Sequence, residues 1–142
     1  MRHRQEAVTI TTFALIAPVF LFIIFGTMEM GRVLNAWLVL TNEARETARY
    51  AAVTYDATAN QTTELATQTT AVRTFVQQRL NGVLDLRDMY RLADVAYIPT
   101  GTNQSPLVQV TLYYQVPLVV PLVSQVLPNP FPIQARSAMR GE

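Results

Sequence analysis

Cysteine is absent from the 142-residue chain, and so is lysine. The first absence excludes disulfide frameworks, thiolate metal sites and cysteine nucleophiles. The second excludes a Schiff-base lysine and the lysine of a phosphate-binding loop. Histidine occurs once, as His3 at the extreme N-terminus, so Ser105, Ser124 and Ser137 have no imidazole base in their part of the chain. The five glycines are scattered and form no phosphate loop. Asp85, Asp88 and Asp94 do not have the spacing of a calcium loop, and arginines intervene. Charge is scarce: 15% of residues are charged, half are hydrophobic and the net charge is +1. The arginines are spread out, so there is no basic, aromatic face for nucleic acid. A mean hydropathy of +0.17 excludes disorder as the overall state. These residues suggest no catalytic site, no cofactor and no metal.

What charge there is avoids one stretch altogether. Arg2, His3, Arg4 and Glu6 crowd the start, and residues 7–28 then contain no charged side chain. About 20 apolar residues in a helix cross a bilayer core. The expectation is a retained single-pass anchor over 7–28 rather than a cleaved signal, because the stretch is long and offers no small-x-small exit. Residues 1–6 form a basic tip that stays cytoplasmic, with the remainder outside the cytoplasm. Pro18 lies inside this helix and removes one of its backbone hydrogen bonds.

Helical character continues beyond the anchor. Met30, Val33, Leu34, Trp37, Leu38, Thr41, Ala44, Ala48, Ala51 and Ala52 recur at steps of three and four, which predicts an amphipathic stalk over 29–53. Trp37, Leu38 and Ala48 are its expected contacts with the rest of the protein. Glu29 with Arg32, and Glu46 with Arg49, have the spacing of ion pairs on one helix face. Residues 54–71, rich in Thr, Ala and Gln, suit a loop and a helix cap. Leu65, Thr69, Val72, Val76, Leu80 and Val83 then mark a second helix ending near Gly82.

Three strands are predicted next. The first covers 91–98. The second alternates Val108, Val110, Leu112, Tyr114 and Val116 with Gln109, Thr111, Tyr113 and Gln115. The third alternates Ile133, Ala135, Ser137 and Met139 with Gln134, Arg136 and Arg140. The expected fold is α+β: a long N-terminal transmembrane and stalk helix, then a head over 54–142 with a second helix and a small antiparallel three-stranded sheet. Residues 117–131 are apolar but broken by prolines. They read equally as a loop folded over the sheet, or as a contact surface for a neighbouring subunit or the outer leaflet. Two glycosylation sequons, at Asn60 and Asn103, are of a kind common by chance.

Several of these segments together resemble the TadE-like pseudopilins of tight-adherence (Tad) pili, relatives of type IV pilins. Phe13-Ala14-Leu15 followed by Pro18 resembles the family's apolar opening. Met28-Glu29-Met30-Gly31-Arg32 is similar to its aliphatic–Glu–aromatic–Gly–Arg signature. The run from Asn42 to Ala52, containing Ala44-Arg45-Glu46 and Ala48-Arg49-Tyr50-Ala51-Ala52, is similar to its central block. The Pro117-Leu118-Val119-Val120-Pro121 loop and the closing Ala138-Met139-Arg140-Gly141-Glu142 also resemble the family. Two positions depart from it. No Gly stands in the basic leader where prepilin peptidase cuts, and Thr12 stands where the family usually has Glu. Both departures point to an unprocessed form.

The resemblance implies a pilin-like fold and a structural, non-enzymatic role as a filament subunit at the cytoplasmic membrane or in a cell-surface adhesive pilus. Its partners would be copies of itself, other pilins and pseudopilins, the pilus assembly platform and the membrane, with no nucleic acid. Phe13, Leu15, Pro18, Phe20, Phe22, Phe25, Glu29 and Arg32 are the expected filament-core residues, the Glu29–Arg32 pair registering neighbouring helices. Two other readings stand beside this one. The chain is alternatively a membrane-retained minor pseudopilin that primes or supports assembly, or a membrane-tethered binding or enzymatic domain.

Overall fold

A computed structural model of the chain describes residues 2–54, 63–84, 93–98 and 107–141. Residues 55–62 of the loop expected over 54–71, the 85–92 and 99–106 connections and both sequons lie outside the described residues.

Helix α1, Arg2–Thr54, is one unbroken element of 53 residues with Pro18 inside it. At 1.5 Å per residue it is about 80 Å long. It takes in most of the 1–6 tip as well as the expected anchor and stalk, and no Gly or Pro among residues 2–6 stands against that. Helix α2, Thr63–Leu80, takes over much of the segment expected to be loop. Nothing between 63 and 80 breaks a helix, and its Ala, Gln, Leu and Arg residues favour one. Past Leu80 the chain turns at Gly82, whose φ of 89° suits a residue without Cβ. The amides of Val83 and Leu84 both donate to the Leu80 carbonyl, at 3.0 and 3.1 Å. Val83 therefore lies beyond the helix and is exposed rather than on its apolar stripe.

The strands are β1, Ala93–Ile98, β2, Leu107–Val116, and β3, Phe131–Arg140, in the order β1-β2-β3. Both pairings are antiparallel, with Ala93 opposite Leu112 and Leu112 opposite Ala135. The α+β architecture expected from the sequence is thus observed. In the central strand every second residue from Val108 to Val116 is buried, as its alternation predicts. β3 begins two residues before Ile133 and includes Pro132, opposite Gln115. An edge strand accommodates a proline because one side of its ladder is unpaired.

The core lies where the sheet meets the second half of α1. Val33, Ala36, Leu40, Ala44, Ala48, Ala51 and Ala52 are buried there against Val108, Val110, Leu112 and Ala135. The small side chains on this face let the backbone of the sheet approach the helix closely. From residue 29 to residue 52 the helix rises about 35 Å. The ten residues of β2 cover a similar distance, about 33 Å, and both β2 and β3 contact the helix. Between β2 and β3 the chain makes one short helical turn, α3, Pro121–Ser124.

Candidate assembly and membrane interface

From Thr9 to Met28 the rest of the chain gives α1 almost no cover. Within Thr9–Thr54 lies an 18-residue window of mean hydropathy 2.2, none of it buried by the rest of the chain. By length and composition this helix can cross a membrane. Phe13 and Leu15 are 72% and 76% exposed, and Phe20 and Phe25 are exposed with them. Pro18 is exposed and Phe22 partly so. The Thr27 hydroxyl donates to the Ile23 carbonyl at 2.8 Å, which satisfies it within the helix, as an apolar surrounding demands. A Cβ added at Gly26 or Gly31 meets nothing within 4 Å. Each large apolar side chain left in water costs about 1.5–3 kcal/mol. The segment is therefore stable only among lipids or other apolar helices.

Glu29 closes this segment and differs from everything before it. Its residue is only 3% exposed. One carboxylate oxygen, Oε1, accepts the backbone N–H of Val119 in a short hydrogen bond and that of Val120 at 3.3 Å. The other, Oε2, accepts from Arg32 Nη1 at 2.8 Å. Burial pushes the carboxyl's pKa up, but the two backbone donors and the Arg32 guanidinium outweigh it and hold the group below its ordinary value. The i,i+3 spacing of Glu29 and Arg32 announced the ion pair. It held no sign of the two amides some 90 residues away. The partners of Glu29 seen here belong to its own chain, and they bind the 117–120 segment to the stalk. Asn129 reinforces that segment: its side-chain amide accepts from the Leu118 N–H at 3.0 Å and donates to the Leu118 carbonyl at 3.3 Å.

The three residues expected to join stalk and head divide. Ala48 is fully buried against the head, whereas Trp37 and Leu38 are 44% and 55% exposed and face away from it. The stalk carries two apolar stripes side by side. The sheet packs on the one rich in alanine, which also carries Val33 and the fully buried Leu40. Met30, Leu34, Trp37 and Leu38 form the other and continue the exposed apolar surface of residues 9–28.

Near its C-terminal end α1 meets α2. Tyr50 and Phe75 stack with ring centroids 4.3 Å apart and planes 1° from parallel. Arg79 lies over Phe75, 5.5 Å from its centroid, and binds Glu43 through two hydrogen bonds of 2.7 and 3.2 Å. The carboxylate holds the guanidinium above its ordinary pKa. Beside this contact runs an open groove of about 440 Å³ lined by Tyr50, Phe75, Ala71, Gln78 and the threonines 67, 70 and 74. It presents hydroxyls and one amide, with no carboxylate or imidazole. Among the described residues no three His, Cys, Asp or Glu side chains are grouped so as to hold a metal ion.

Residues 8–49 match the family model described as TadE-like protein. Over that segment the resemblance read from the sequence is a family match, and it takes in the apolar helix, Glu29, Arg32 and most of the stalk. No curated protein and no solved structure matches the chain.

Proposed function

We propose that the chain is a structural, pilin-like subunit of a Tad or type IV-like pilus. Residues 7–28 hold it in the membrane and then form the core of the filament. The observation that carries this reading is an apolar helix uncovered on every side that continues without a break into a stalk with a folded sheet on one face. Such a helix suits lipid and a bundle of like helices equally, so it can leave one for the other without exposing apolar surface to water. The TadE-like match over 8–49 supports a place in Tad pilus assembly. It also favours a structural role over an enzymatic one.

In this reading the basic tip stays in the cytoplasm and the head lies outside. Copies of the chain, or related pilins, meet through Phe13, Leu15, Phe20, Phe22 and Phe25. The exposed Met30–Leu34–Trp37–Leu38 stripe extends that contact beyond the bilayer. The test is to shear surface fibres from cells producing the chain and measure its abundance in them. Abundant chain in the fibres, lost on Phe20→Ala with membrane levels unchanged, is the expected result. Chain confined to the membrane of piliated cells sinks the filament-subunit reading and leaves a membrane-retained accessory subunit.

A further inference from the structure

The loop 117–130 joins β2 to β3 at the end of the sheet nearest the apolar helix, because the Glu29 carboxylate holds the Val119 and Val120 amides. Glu29 immediately follows the last residue of the uncharged run. Val119 is therefore fixed at the height where that run ends, and its side chain points away from the protein, 68% exposed. Val126 and Leu127, on the same loop, are also exposed. No charged residue occurs anywhere between Asp94 and Arg136. At this height the Glu29 carboxylate is buried against the loop's backbone, while Arg32, which pairs with it, is half exposed at the level of the headgroups.

We propose that this loop is a foot that rests in the phospholipid leaflet on the head side. Val119, Val126 and Leu127 enter the boundary between headgroups and acyl chains, and Glu29 sets the depth. The inference rests on residues 7–28 spanning a bilayer, and it is independent of filament assembly. Lipid is the occupant that the geometry favours, since the exposed side chain of Val119 is level with the end of an uncovered apolar helix. An apolar surface continuous with a membrane-spanning one is covered by the same solvent. Anchored at both helix and loop, the head is held against the membrane in one orientation.

The full-length chain, reconstituted in phosphatidylcholine vesicles, tests this by fluorescence. Its single tryptophan is removed by Trp37→Phe, and Val119→Trp or Val126→Trp is added as a probe, with Phe20→Trp as the probe of the span. Bromines placed high on the acyl chains are expected to quench both loop probes, while acrylamide in the water does not reach them. Glu29→Ala is expected to expose the Val119→Trp probe to acrylamide and to leave the Phe20→Trp probe buried. Quenching of the span probe alone, with both loop probes open to acrylamide, overturns the foot and leaves the span standing. Quenching of none overturns both. Loop probes shielded only at high protein-to-lipid ratios make a second copy the occupant and overturn the lipid assignment.

Discussion

Glu29 is the residue that ties the 117–120 segment to the stalk. A carboxylate with two backbone donors and a guanidinium is a stronger acceptor than a neutral group, and its loss leaves two part-buried N–H groups without this partner. Because its pKa is lowered in the folded chain, its contribution to docking the loop is fully present above the ordinary carboxylate range. That contribution disappears as pH falls through the lowered value. Hydrogen-exchange protection of the Val119 and Val120 amides is therefore expected to be level at neutral pH and to fall in acid. Glu29→Gln removes that pH dependence, and Glu29→Ala lowers protection roughly ten- to hundredfold. Protection indifferent to both acid and Glu29→Ala would disprove the clamp. The sequence showed Glu29 paired with Arg32 because three residues along a helix is a local distance. It could not show the Val119 and Val120 amides, whose nearness depends on how β2 lies along α1.

Within α1, the choice between two apolar stripes is a matter of side-chain size. Ala36, Ala44, Ala48 and Ala51 let the sheet come close around Leu40, whereas the face of Met30, Leu34, Trp37 and Leu38 has no small residues to admit it. Ala48→Leu is expected to overpack this contact and cost about 1–3 kcal/mol of head stability. Trp37→Ala and Leu38→Ala should leave the melting transition nearly unchanged, because neither side chain supports the head. Thermal denaturation of the three variants in one detergent decides the matter. A large loss at Trp37 or Leu38 with none at Ala48 would reverse the assignment of the two faces. Helical periodicity identified apolar residues on the stalk but merged the two stripes into one, since the pattern records hydrophobicity and not which neighbour will cover it. The strands were more legible. β2 alternates without exception because its two faces meet different surroundings, and a period of two leaves one register that buries Val108, Val110 and Leu112 together.

The full chain combines a self-sufficient folded layer with a helix that cannot be self-sufficient. The buried core lies among the described residues from Val33 onward, so removal of residues 1–28 is expected to yield a detergent-free protein with the same melting behaviour in its sheet and far less association than the full chain. The full-length chain in the same buffer is expected to be associated. Sedimentation of both forms checks this. A monodisperse, monomeric full-length chain in plain buffer contradicts the reading of the apolar segment. Joining the two parts through one continuous helix means that any force or orientation imposed on the head is carried directly to the apolar segment.

The length of the leading helix, its lack of charge and the alternation of the strands are local properties of neighbouring residues, and for that reason the order of elements could be read directly from the chain. Which side of the stalk meets the sheet, and the return of the proline-broken loop to Glu29, depend on contacts between residues far apart in the chain. Those contacts exist only after β2 and β3 have packed on α1, where small side chains allow close approach and a buried carboxylate finds its amide donors.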